Sequence, residues 1–276
     1  MRIVLSPVGM TVLVILQVAT LAGAAGDGGR WKKEFEAGLT AYENCDLDRA
    51  EKHLRKALMD TTRFEPGDGR GVQTLNALAR VLIAKGRNDN AEVTLRRARA
   101  VSETWTGKEN PELAETLNLL GLLCTHQPNC REAEPLYNQA LEMREKLLGP
   151  DHPDVATSLE NLAELRVSQG RFPEAASLLD RALRIREKAF GPDNPAVAAT
   201  LEDMALLHAA QGDYAAAESL FQKSLAILER TMGRDHCELA LLLKDYASVL
   251  RKLHRETEAE KLETRSLTIT AKRYCK

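Results

Sequence analysis

Few residues in this chain could do chemistry, and their spacing rules out most of what they could do. Six histidines stand at His53, His126, His152, His208, His236 and His254. None belongs to an HExxH pattern, which would place two imidazoles and a general base on one helix face. His152 and His236 recur in Asp-His segments, a placement that suggests a structural role between repeats. The spacing most open to a metal is Cys124-x5-Cys130 with His126 between them. There is no GxSxG for an activated serine, no glycine-rich phosphate loop and no GxGxxG following a strand. Glu160 and Glu164 are one helical turn apart and share a face. In a repeat, such a pair more often marks a solvated or ligand-facing surface than a catalytic dyad. The expectation is a protein with no catalytic constellation, no cofactor and no metal. Formal net charge is −2, without the basic stripe of a nucleic-acid binder.

What positions these side chains is a repeat. Alanines fall at Ala50, Ala91, Ala133, Ala175, Ala217 and Ala259, at intervals of 41, 42, 42, 42 and 42 residues. Gly107, Gly149, Gly191 and Gly233 form a second lattice, also 42 apart. A fixed period of this size means one supersecondary unit copied along the chain, each copy burying its neighbour's apolar face. The unit from Pro150 to Gly191 reads as two helices. Pro153 and Asp154 suit a first turn, and Leu159, Leu162, Ala163 and Val167 recur at helical spacing. Gly170 ends that helix, and Phe172 to Lys188 carries a second amphipathic pattern. The first helix of each unit holds a small residue: Gly38, Ala79, Gly121, Ala163, Ala205 and Ala247. Bulky residues face them from the second helices: Leu54, Leu95, Tyr137, Leu179 and Phe221. In the last unit this position becomes Glu263, which reads as a polar cap, and residues 64–71 form an irregular first junction.

This alternation of small and large residues resembles the tetratricopeptide repeat. The 42-residue period, SLENLA (158–163), QGRF (169–172) and the segments EMREKLLGPDHPD (142–154), RIREKAFGPDNPA (184–196) and AILERTMGRDHCE (226–238) resemble the longer repeats of kinesin light chains and nephrocystin-3-like proteins. The resemblance covers residues 31–276. It implies an all-α fold, a right-handed α-α superhelix of about six helical hairpins, with units at 31–66, 69–107, 111–149, 153–191, 195–233 and 237–276. It also implies that first helices line a concave face holding an extended or helical protein segment. Carried over position by position, the ligand-facing residues are Gln73, Asn76 and Arg80, then Glu115, Asn118 and Leu122. They continue as Thr157, Glu160, Asn161 and Glu164, then Glu202 and Asp203, then Lys244, Asp245, Ser248, Arg251 and Lys252. The asparagines would clamp a ligand backbone. The acids at Glu160, Glu164, Glu202 and Asp203 would favour a partner that is neutral to basic where it meets units four and five. The expected function is a non-catalytic interaction scaffold; an assembly or chaperone-like factor and a structural homo-oligomer are the alternatives. The sequence leaves the oligomeric state open.

The first segment gives an address. One charge at Arg2, an apolar run through residues 12–21 and Ala22-Gly23-Ala24 have the form of a secretory signal peptide over 1–24, followed by a linker at 25–30. The alternative is a membrane anchor formed by residues 3–25; no other membrane insertion is expected. Export to a periplasm or secretory lumen makes disulfides the default for the five cysteines. On the hairpin layout that the resemblance implies, Cys124 and Cys130 bracket one helix turn and pair. Cys237 and Cys275 fall at the same end of the last hairpin and are a second candidate pair. Cys45 is left over.

Overall fold

In a computed structural model of the chain, the structure describes residues 28–65, 67–104, 109–127 and 131–274. The expected signal segment, Gly107, Cys130 and Cys275 lie outside them. The described residues form α-helices, one 3-10 turn (Thr61–Arg63) and no strand. The helices pair as α1 (Gly28–Glu43) with α2 (Leu47–Asp60), α3 (Arg70–Ala84) with α4 (Asn88–Glu103), and α5 (Pro111–Thr125) with α6 (Ala133–Leu148). They continue as α7 (Pro153–Ser168) with α8 (Phe172–Phe190), α9 (Pro195–Gln211) with α10 (Tyr214–Met232), and α11 (Leu239–Lys252) with α12 (Glu256–Tyr274). Six hairpins result, and the fold is all-α. α1 starts at Gly28, so the last residues of the segment expected as a linker are its first turn. No described helix is long and apolar enough to cross a membrane.

The start and stop of each repeat follow from local chemistry. Asn110, His152 and Asn194 occupy one register position, and each side chain accepts from a backbone N–H of the first turn, of Leu113, Asp154 and Ala196 respectively. A proline follows each at the first helical position, where its missing N–H costs nothing. His152 is therefore a helix cap, and His236 repeats the contact more weakly, accepting from Glu238 N–H at 3.4 Å. Second helices stop at Gly149, Gly191 and Gly233, whose φ values of 89°, 81° and 91° are open only to glycine at little cost. Each glycine N–H donates to the carbonyl four residues back, at Glu145, Glu187 and Glu229. A charged staple also recurs between the end of a second helix and the loop opening its own repeat: Lys146–Glu109, Lys188–Asp151 and Arg230–Asp193. These pairs are exposed, so water and salt screen them and they add little to stability.

The chain divides at residue 150 into two compact units, α1–α6 and α7–α12. In the first, Leu54, Leu95 and Tyr137 are fully buried, each against the small residue of the preceding helix position. The approach is closest at Gly121, where an added Cβ would lie 2.7 Å from the Tyr137 ring, and at Gly38, 2.7 Å from Leu54. The irregular junction is held by aromatic packing. Trp31 stacks on Phe35 and donates its indole N–H to Thr74 at 3.0 Å, and the Arg70 guanidinium lies 3.5 Å from the Phe64 ring centre and 5.5 Å from that of Trp31. In the second unit, Leu179 and Phe221 take the bulky role. Glu263 pairs with Arg251 at 2.7 Å where earlier repeats have an apolar packer.

Cys45, Cys124 and Cys237 are disulfide-bonded. This corrects the expectation that Cys45 is left over. That expectation followed only from pairing the other four cysteines within their own hairpins. The pairings expected for Cys124 and Cys237 involve Cys130 and Cys275, outside the described residues.

Candidate functional site

The first helices carry two rows of side chains, set by the 42-residue register. One row is Asn76, Asn118, Glu160, Glu202 and Lys244; its neighbour includes Asn161, Asp203 and Asp245. The two units use these rows differently.

In the N-terminal unit the row holds one repeat to the next. Asn76 is buried, donates to the Glu112 carbonyl at 2.9 Å and accepts from Thr116 at 2.8 Å. Gln73 donates to the Glu112 carboxylate, and Arg80 reaches Glu115 at 3.0 Å. Glu115 also takes the buried Arg144. These side chains are fixed by their neighbours on α5. Asn118 differs: it is fully buried, and neither its amide nitrogen nor its oxygen has a hydrogen-bond partner. Leaving such a group unsatisfied costs about 1–3 kcal/mol.

In the C-terminal unit α9 packs against both α7 and α11, so the three first helices lie side by side. Their facing side chains are Glu160, Asn161 and Glu164 from α7, Glu202 and Asp203 from α9, and Lys244 and Asp245 from α11. Glu160 is buried and engages the fully buried Arg186 at 2.5 Å, accepting also from Thr200 at 2.7 Å. Arg186 gives its other nitrogen to the Ala196 carbonyl at 2.7 Å and to Thr200 at 3.2 Å. Burial raises the Glu160 carboxyl above the usual range, and Arg186 opposes that rise. Burial pushes Glu164 to about 7. It pushes Glu202 to about 8, with help from Asp245 and Glu238. Asp203 is raised by burial and then by Glu160, Glu202 and Glu164 around it. Asp245 rises by burial to about 6, against the pull of exposed Lys244. Asn161 is 2% exposed, and its amide nitrogen has no acceptor. The patch is rich in carboxyl groups; its arginine is already engaged by Glu160, and its lysine, Lys244, is exposed. No group of three or more histidine, cysteine or acidic side chains among the described residues is arranged to hold a metal.

Arg144 and Arg186 were not singled out by sequence reasoning. Their signal was present: both open an Arg-Glu-Lys run in the segment before the next repeat, 42 residues apart. Burial of an arginine is not visible in a run that reads as a solvated helix end.

The fold is similar to that of several solved proteins. One is a putative kinesin light chain from Podosopora anserina with nearly identical TPR-like repeats, at 21% identity and TM-score 0.54, covering 76% of this chain and 99% of that one. Another is a Rap protein complexed with competence and sporulation factor, at 18% identity and TM-score 0.69, covering 91% of this chain and 66% of that one. A third is NprR in complex with its cognate peptide NprX, at 17% identity and TM-score 0.66, covering 94% and 74%. No curated protein matches the chain. The family model for the tetratricopeptide repeat matches residues 72–146, 112–188, 160–230 and 196–272. Repeats of this kind generally form non-catalytic scaffolds for protein–protein interaction. Matched by overlapping segments from residue 72 to residue 272, the chain belongs to the tetratricopeptide repeat family.

Proposed function

We propose that this protein is an exported, non-catalytic adaptor that holds an extended or helical protein segment on the face formed by its first helices. The segment is neutral to basic where it meets α7, α9 and α11. The observation carrying this reading is the trio Glu202, Asp203 and Asp245: Asp203 and Asp245 both lie near Glu202, and none of the three has an ion-pair partner among the described residues. An acidic patch without a counter-charge favours a cation, which draws its carboxyls into the ionised form, and disfavours a carboxylate terminus. The Rap and NprR structures, each solved with a bound factor or peptide, support the reading by analogy of fold. Export rests on the form of residues 1–24 and predicts a mature chain starting at Ala25 or Gly26, read by amino-terminal sequencing of the secreted protein.

The test is affinity capture from the exported fraction, comparing wild type with Asn118→Ala/Asn161→Ala. Neither amide nitrogen removed has a hydrogen-bond partner, so the variant should fold. Loss of one specific protein from the captured set supports the reading. An unchanged set overturns it.

A further inference from the structure

We propose that the patch where α7, α9 and α11 lie side by side is a subsite for one guanidinium or ammonium side chain of the bound segment, held by Asp203 with Glu202 and Asp245, while the Asn161 amide donates to that segment's main chain. The inference rests on the first-helix face being the binding face, and it names the chemistry recognised there.

Two independent observations meet at this patch. The first is charge without a counter-charge. Glu202 is 7% exposed, and neither it nor Asp203 nor Asp245 makes an ion pair among the described residues. The charged groups on the helices that form the patch are these. α7 contributes Glu160 and Glu164, α9 contributes Glu202 and Asp203, and α11 contributes Lys244 and Asp245, with Glu238 just before it. Behind them α8 supplies Arg186, which is engaged by Glu160. On α10, Glu218 pairs with Arg255, Glu229 with Arg265 and Arg230 with Asp193, and Lys223 is exposed. A buried carboxylate with like charges around it is stabilised most by a cation at contact distance.

The second observation is Asn161, which does not depend on the acids. Its amide nitrogen is buried and meets no acceptor, whereas the buried amide of Asn76 donates to a neighbouring carbonyl. Asn161 shares its register with Asp203 and Asp245, so a donor and two acceptors form one row across three helices. A peptide carrying a basic side chain offers a carbonyl for the first and a cation for the other two. Arginine fits better than lysine, because its fork can bridge two carboxylates.

Entry of a cation has a stated proton balance. Burial holds Glu202 near 8 and Glu164 near 7, so near pH 7 the empty patch carries protons. A guanidinium does not titrate there, so its arrival favours the ionised carboxylates and the displaced protons leave to buffer. Affinity for the cation therefore rises with pH through this range.

The experiment uses the full mature chain and a labelled, end-blocked hexa-arginine peptide, with the citrulline peptide of equal length as an uncharged isostere. Binding is followed by anisotropy, and protons by calorimetry near pH 7 in two buffers of different ionisation enthalpy. Glu202→Gln/Asp203→Asn should weaken the arginine peptide by about tenfold or more and leave the citrulline peptide unchanged. Asp180→Asn/Glu187→Gln removes the same charge from the exposed side of α8 and should change binding less than about twofold. Asn161→Ala should weaken both peptides, and calorimetry should show net proton release. Asp203→Asn alone gives the same reading should the double variant not fold. Equal weakening by the two double variants, or no proton release, overturns the subsite. If partner capture still depends on Asn118 and Asn161 in that case, the binding face stands and only its cation specificity falls. If capture is also indifferent to them, both readings fall.

Discussion

Asn76 and Asn118 share one position in successive repeats, and the structure gives them different work. Asn76 closes two hydrogen bonds to α5, so Asn76→Ala should destabilise the chain by about 1–3 kcal/mol in a denaturant melt. Asn118 satisfies none of its polar atoms, so Asn118→Ala should be neutral or stabilising in the same melt. Sequence reasoning grouped the two as backbone clamps because the period alone makes them equivalent. What separates them is whether a carbonyl and a hydroxyl come within about 3 Å, which the period does not encode. Arg186 makes the same point for charge. Arg186→Met leaves Glu160 buried without its cation and should cost about 3–5 kcal/mol, and adding Glu160→Gln should recover much of that loss. Equal stability of the single and double variants would show that the pair is not coupled.

At the scale of the element, each hairpin is set by a small residue facing a large one. The alternation was legible because it recurs at fixed offsets, and so were the helix ends, marked by proline and glycine. The sizes within a pair are matched as well. Gly121 faces Tyr137, whereas Ala163 faces Leu179 at the equivalent crossing. Gly121→Ala would bring a methyl to 2.7 Å from the Tyr137 ring and should destabilise by about 1–3 kcal/mol. Gly121→Ala/Tyr137→Leu reproduces the equivalent pair and should restore most of that stability. A double variant no better than the single one would mean that crossing distance, not pair volume, is fixed. The caps were partly legible: Pro153 read as a helix start, but the His152 side chain as its cap did not, since histidine is not among the common capping residues.

At the scale of the whole molecule, periodicity carried the fold, because a repeated hairpin buries its apolar faces only by stacking on its copies. The state of the acids did not follow from periodicity, because a charge run on a helix reads equally as a solvated face. Their burial has a consequence for stability. Glu202 sits near 8 in the folded chain against an ordinary 4.5, so between those values the folded state holds more protons than the unfolded one. Its stabilising contribution is complete below the ordinary value and is lost as pH rises through about 8. His126 is depressed by burial and contributes the opposite slope below its ordinary 6.5, so the informative quantity is a difference between proteins. Glu202→Gln should melt higher than wild type near pH 8.5, with the gap closing toward pH 4.5. A gap independent of pH would mean that Glu202 titrates as an exposed acid.

The central claim is that a partner segment lies along the first helices. A photo-crosslinking side chain placed at exposed Ser248 on α11, or at exposed Ser219 on α10, reads this directly. Irradiation in the exported fraction should join one specific protein to the Ser248 position and none to Ser219. The same protein joined equally at both positions, or only at Ser219, would contradict the account.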